Sequence, residues 1–217
     1  MIILPIGDLH GLKMIPPDCE YDIIVFTGDF EIYRASQLCE FKSWVDVNFN
    51  PVPRLFIPGN HDLLWKNQKE LNEGIKNWKY EIDIYDDLWH WGDPHGKSQI
   101  KVLEKTFSTF SWCPFEKQLE AAANYWVFST TDYEAITRKV SRLNSADVLI
   151  THCPPSCTLS FLPNYNTCIG IPEITDRIDN WKTIICGHVH EQGGKMEEIN
   201  GTKVYNVAME YRLIEIE

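Results

Sequence analysis

"DIIVFTGD", residues 22–29, decides the fold: three β-branched residues and a phenylalanine, a threonine, a glycine, and then a carboxylate. An apolar run this short, without polar alternation, suits a strand buried on both faces of a mainly parallel sheet. The same grammar recurs in "IILPIGDLHG" (2–11), "RLFIPGNHD" (54–62), "DVLITHCPP" (147–155) and "TIICGHVH" (183–190). Each run ends in a small or turn residue, then Asp, Asn or His. Helical spacing lies between some of them. In 34–49, Ala35, Leu38, Phe41, Val45 and Phe49 fall three or four apart. In 131–144, Thr131 and Glu134 form a capping box, and Tyr133, Ile136, Val140 and Leu143 make one stripe. Strands alternating with helices imply a parallel sheet, whose ligands bind beyond the carboxyl ends of its strands. The connection 11–21 is the weak link, since a parallel crossover needs about a dozen residues.

The remainder reads as more β-structure. Residues 99–112 suggest two strands. Asn200-Gly201 marks a hairpin within 194–207, so Asn200-Gly201-Thr202 reads as a turn rather than a glycosylation site. Residues 212–217 suggest a closing strand. The expectation is two sheets packed face to face with helices outside. With 217 residues the chain is long enough for one core, and residues 1–217 read as one domain. The net charge of −11 opposes broad nucleic-acid binding, which needs Lys and Arg to displace counterions. Seven cysteines at irregular spacing read as reduced thiols in a cytoplasmic protein. No apolar run approaches the roughly 20 residues of a membrane span.

The strand-end clusters supply Asp8, His10, Asp29, Asn60, His61, Asp62, His152, His188 and His190. Any one alone reads as a turn cap or a satisfied histidine. Five clusters at the same end of successive strands argue for a shared site, and five of the seven histidines belong to the set. Carboxylates, imidazoles and an amide without a thiolate suit Mn, Fe, Zn or similar metals.

The ordered motifs D-x-H, G-D, G-N-H-D, T-H and G-H-x-H, spanning residues 8–190, resemble the calcineurin-like metallophosphoesterase superfamily. The resemblance implies a four-layer αββα sandwich of two mixed sheets flanked by helices. It implies two divalent metal ions at the strand carboxyl ends, manganese first, with Fe, Zn or Ni as alternatives. Asp8, His10, Asp29 and His190 would hold one ion, with Asp29 bridging; Asn60, His152 and His188 would complete the second. Two carboxylates only partly offset two divalent ions, so the pocket would stay cationic in an acidic protein. The implied reaction is hydrolysis of a phosphodiester or phosphomonoester, the diester favoured, by in-line attack of a metal-bridging hydroxide. A nucleotide or small phosphorylated metabolite is the implied substrate. His61 resembles the proton donor to the leaving group. Asp62 is a second catalytic candidate, orienting a neighbour or capping a helix over 63–78.

The second motif, "GDFEIYR" (28–34), departs from the GDxxDRG of the protein serine/threonine phosphatases. Ile32 replaces the Asp and Arg34 comes one residue late, while the last motif is GHVH. The wording is closer to the small phosphodiesterases, with Glu31 as a substitute partner for His61. Arg34, His90 and Asn164 are the candidate substrate contacts. Within 86–130, Phe107, Phe110 and Trp126 read as core, while 89–96 ("WHWGDPHG") reads as a loop. Residues 154–172 read as a long loop over the site. Cys153, Cys157 and Cys168 lack the paired knuckles of structural zinc. The alternatives are an end-acting nuclease and a catalytically silent scaffold.

Overall fold

The computed structural model describes residues 1–72 and 86–216. The recurring runs become strands β1 (Ile2–Ile6), β2 (Ile23–Phe26) and β3 (Arg54–Phe56), which lie parallel beside β4 (Trp89–Trp91). A short antiparallel strand, β15 (Ile214–Glu215), closes the edge in the order β15-β1-β2-β3-β4. A second sheet runs β13-β14-β12-β9-β6-β5. Its members are β5 (Gln99–Val102), β6 (Lys105–Phe110), β9 (Ala146–Thr151), β12 (Trp181–Cys186), β13 (Met196–Ile199) and β14 (Thr202–Asn206). Strands β6, β9, β12 and β14 are parallel, and antiparallel hairpins add β5 and β13 at the edges. The β13–β14 turn places Asn200 and Gly201 at positive φ, 51° and 86°, as an Asn-Gly hairpin requires. Two small pairs complete the strands: β7 (Cys113–Pro114) with β8 (Ser129–Thr130), and β10 (Phe161–Leu162) with β11 (Thr167–Cys168).

Alternation along the strands sorts the side chains into layers. Ile23, Val25 and Leu55 point toward the second sheet, where they meet Phe107, Val148, Ile150 and Ile185. Ile24, Phe26 and Phe56 point the other way, onto Leu38 and Val45 of helix α1 (Ala35–Asn48). Leu149 and Ile184 face outward onto the far side of the second sheet. There they pack with Ile136 and Val140 of α3 (Tyr133–Val140) and Ile174 of α4 (Pro172–Thr175). A further helix, α2 (Glu120–Tyr125), precedes α3. The result is the four-layer αββα sandwich, with apolar side chains filling all three interfaces. Full burial of one such residue contributes about 1.5–3 kcal/mol.

Several local expectations change. The β1–β2 connection contains no helix; an irregular loop makes the parallel link. Helix α3 is capped by Asp132, which accepts from Ala135 N at 3.1 Å, rather than by Thr131. The closing strand is two residues long, not six. Trp89–Trp91 is a strand, with both tryptophans packed against the α1 side, and only the following residues form a loop. Residues 154–172 contain a single-turn helix and the β10–β11 hairpin. After Asp62 comes a single-turn helix, Leu63–Lys66; residues 73–78 of the expected helix lie outside the described residues. Among the described residues no helix is long and apolar enough to cross a membrane.

Candidate metal centre

The carboxyl ends of β1, β2, β3, β9 and β12 converge on one rim, where the two sheets are stitched together. Gly7, after β1, bridges Ala208, after β14, and Met209 N donates to Gly7 O at 3.1 Å. The chain turns sharply at this rim. Asp8, His10, Asp29 and His188 all hold positive φ, between 46° and 69°. A non-glycine residue in such a conformation costs on the order of 1–3 kcal/mol, and this strain concentrates at functional sites. Two glycines permit the close approach. A Cβ at Gly187 would lie 2.1 Å from Asp8 Oδ2, and one at Gly59 would lie 2.1 Å from Asp29 Oδ1.

The seven residues expected to hold cations meet here. His10 Nε2 lies 3.1 Å from His190 Nε2, and His190 Nε2 lies 3.4 Å from Asp8 Oδ1. His152 Nε2 lies 2.8 Å from Asn60 Oδ1 and 3.3 Å from Asp29 Oδ2. Asp29 Oδ2 is also 4.0 Å from His10 Nε2 and from His61 Nε2. His188 stands beside His152, ring centroids 5.0 Å apart, and its N–H donates to Asp8 Oδ1 at 2.8 Å.

The chemistry of this set fits divalent cations. Asp8 and Asp29 are buried carboxylates, and Asp8 Oδ2 has no hydrogen-bond partner. A buried, unpartnered carboxylate oxygen is costly unless a cation faces it. His152 Nδ1 is 2.8 Å from Thr27 O. A carbonyl only accepts, so Nδ1 carries the proton and Nε2 is left facing two oxygens. Such a ring either takes a second proton or turns its lone pair to a metal. Burial pushes His152 down, but Asp29 and then Asp8 drive it well above the usual histidine range. Burial likewise raises Asp29, yet His152 and His61 bring its carboxyl below the usual range. His188 is held down to about 3, by burial and then by the charge of His152. Neutral imidazole is the form that ligates a metal.

Around this core the structure redistributes the other candidates. His61 N donates to Asp29 Oδ1 at 2.8 Å, and its ring lies face to face on Trp126, centroids 3.8 Å apart. Burial lowers the His61 pKa, against the pull of Asp29. Trp126, expected in the core, is instead part-exposed at the rim. Asp62 is fully buried and its side chain caps no helix. Its Oδ1 accepts from Phe30 N and Ile32 N, its Oδ2 from Asp29 N and Gly59 N, at 2.8–3.1 Å. Burial and then Asp29 raise its pKa to about 7, against the pull of the Gly59 and Ile32 N–H donors and the charge of His152. Glu31 faces His10, not the expected His61: Oε1 is 3.5 Å from His10 Nδ1. A sulfur also stands beside the expected donors. Cys113 Sγ lies within 4.8 Å of donor nitrogens of His152 and His188. Nothing in "SWCPF" (111–115) announces a ligand, because no Asp or His accompanies it; the only signal is its place just past β6.

The substrate candidates do not join the cluster. Arg34 is exposed at the start of α1, and with Tyr33, Gln37, Leu63 and Tyr125 it lines an open cavity of about 600 Å³. That cavity adjoins the site through Tyr125, edge-on to Trp126 at 4.7 Å. His90 sits in β4, paired with Leu55. Asn164 is exposed in the turn of the β10–β11 hairpin.

A family model described as calcineurin-like phosphoesterase matches residues 1–192. Metallophosphoesterase domain-containing protein 1 from Homo sapiens is 22% identical over 223 residues, covering 92% of this chain and 63% of its own length. The Mus musculus protein of that name matches equally. The chain thus spans 63% of the length of these relatives. Among solved structures, the protein TT1561 of Thermus thermophilus aligns with a TM-score of 0.54 at 14% identity, covering 94% of this chain and 87% of the other. A candidate 5′-nucleotidase from Staphylococcus aureus, in complex with alpha-ketoglutarate, aligns at 0.53 and 14% identity, covering 94% of this chain and 48% of its own. These two likenesses are of fold.

Proposed function

The chain belongs to the calcineurin-like phosphoesterase family, and from that premise we propose that it is a metal-dependent phosphoesterase working with two divalent cations. Asp8, His10, Asp29 and His190 would hold one cation, and Asn60, His152 and His188 the other, with Asp29 shared. The position of Asp29 carries this reading. Its Oδ2 lies 4.0 Å from His10 Nε2 and 3.3 Å from His152 Nε2, so one oxygen faces both nitrogen sets. When bound, cations of this kind polarise phosphoryl oxygens and supply hydroxide near neutral pH.

The chain's own residues do the rest. His61, backed by Trp126 and tied through its N–H to Asp29, hands a proton to the leaving oxygen. Such help is worth about 10²–10⁴-fold. Asp62 acts through other residues, fixing the backbone of 29–32 and Gly59. Arg34 lies outside the cluster, so the site adds little fixed positive charge beyond its cations. That balance favours a singly charged diester over a dianionic monoester. Tyr33 and Tyr125 in the adjoining cavity suit a nucleotide, since a stacked base contributes about 1–3 kcal/mol.

The test compares chromogenic phosphodiester and phosphomonoester hydrolysis across added Mn, Fe, Zn and Ni. Asn60→Ala should lose one of two bound cations, and His61→Ala should keep both while turning over about 10²-fold or more slowly. If His61→Ala empties a cation position, the division of roles is wrong.

A further inference from the structure

Among the described residues, Cys113 is the one cysteine grouped with the converging imidazoles, and nothing in the family motif places a sulfur there. It lies three residues beyond the carboxyl end of β6, on the rim where β9 and β12 also end. Its position is fixed. Cys113 N donates to Phe128 O at 2.8 Å, and the neighbouring Val127 N donates to Asn60 O at 3.1 Å. The β7–β8 pair is thereby locked to the loop that carries Asn60. The Cys113 side chain is fully buried. Its contacts with oxygen are long, 3.7 Å to Ser111 O and 3.9 Å to Asn60 Oδ1. The adjacent thiol of Cys153 donates to Ile169 O at 3.2 Å and also lies within hydrogen-bonding reach of the Cys113 sulfur. Cys113 Sγ, a His152 nitrogen and a His188 nitrogen all lie within 4.8 Å of one another.

We propose that Cys113 is a ligand of the cation at Asn60, His152 and His188, and that its sulfur tilts this position toward zinc and away from manganese. The inference rests on the two-cation reading above and adds a donor to one of its positions. One sulfur, two imidazole nitrogens and one amide oxygen, with the shared Asp29 oxygen as a fifth donor, make a set of the borderline-soft kind that zinc takes, with Zn–S about 2.3 Å and Zn–N about 2.0–2.1 Å. Manganese prefers oxygen-rich sets. The thiol proton leaves to solvent as the sulfur–metal bond forms. The other position, with Asp8, His10, Asp29 and His190, has no sulfur, so the two positions differ in metal preference.

Cobalt(II), a spectroscopic stand-in for zinc, reports the bond directly through near-ultraviolet thiolate-to-metal charge transfer. The full chain is loaded with cobalt, its cobalt content is measured, and its spectrum is compared with Cys113→Ser, Cys113→Ala and the exposed-site control Cys168→Ser. The expected result is a charge-transfer band in the parent and in Cys168→Ser that both Cys113 variants lack. Competition titrations should show zinc affinity at one position falling at least about 10–100-fold in the variants, since even losing a partner that merely orients a metal ligand costs that much, with manganese affinity little changed. Parent protein holding two cobalt ions without the band overturns the inference and leaves the two-cation reading intact. So does a Cys113 variant that keeps the band. A band in parent protein holding one cobalt keeps the inference and overturns the two-cation reading, and no cobalt uptake overturns both. The parent spectrum decides even where a variant fails to fold.

Discussion

Trp126 and His61 meet ring to ring, and that contact sets how the imidazole faces the cluster. Lys66 Nζ donates to Asn124 O at 2.8 Å and also to Tyr125 O, which holds the end of α2 and so the indole. A misplacement of about 1 Å costs on the order of 10² in rate. Trp126→Ala is expected to lower kcat roughly 10–100-fold with cation content unchanged, while Trp126→Phe keeps most of the rate; steady-state kinetics beside elemental analysis checks both. Asp62 is a residue of another kind. Four backbone N–H groups end on its carboxylate, and each buried donor left unpaired costs about 1–3 kcal/mol. The residue scale is also where the sequence was hardest to read. Asp8, His10, Asp29, Asn60, His152, His188 and His190 announced themselves, because each follows a strand and carries a metal-binding group. Trp126 did not, since hydrophobicity says nothing about which ring a tryptophan will cover. Cys113 did not, since a buried cysteine ordinarily behaves as a small apolar residue. Glu31 was noticed, but chain order alone does not tell which histidine a loop carboxylate will face.

At the scale of elements, helix α1 and strand β3 are joined by charge as well as by packing. Arg54 begins β3 fully buried, and its Nη2 lies 3.5 Å from Asp46 Oδ1 of α1. The same carboxylate takes the Trp89 indole N–H at 3.2 Å and Lys42 Nζ at 2.6 Å. Removing one partner of a buried pair is costly because the other charge stays behind. Asp46→Ala should therefore lower unfolding stability by about 3 kcal/mol, read from the urea midpoint, while a folded fraction keeps its normal cation affinity. The five motif strands were legible because continuous apolar runs fit only a doubly covered sheet. Strand β4 was not: Trp89-His90-Trp91 is three residues long and is followed by Gly92, Asp93 and Pro94, which dominate a local reading. Its identity comes from its pairing with β3, a contact between distant parts of the chain. The start of α3 failed differently. Thr131 and Asp132 are both competent caps, and the choice of Asp132 followed from where the helix could lay Ile136 and Val140 on the second sheet.

For the whole molecule, the cluster lies on the seam between two sheets, and its cations would bind the folded chain far better than the unfolded one. Anything with that preference stabilises by mass action, about 2.7 kcal/mol at a ligand concentration 100 times Kd. Chelation should lower Tm by several degrees and readdition of manganese or zinc should restore it; a Tm indifferent to both would remove the cations from the structural account. The alternation of short apolar runs with helices made the layered α/β architecture legible from sequence. Which strand joined which sheet was hidden, because both sheets use the same kind of strand.

That seam would also govern when the proposed chemistry becomes possible. Asp8, His10, Asp29 and Asn60 belong to the first sheet, whereas His152, His188 and His190 follow strands of the second. During synthesis the first group emerges long before the last histidines leave the ribosome. A nascent or half-assembled chain would therefore lack the full set of proposed cation ligands. On the proposed reading, hydrolytic competence would arrive only with the docking of the two halves, so completion of the fold and onset of activity would be one event.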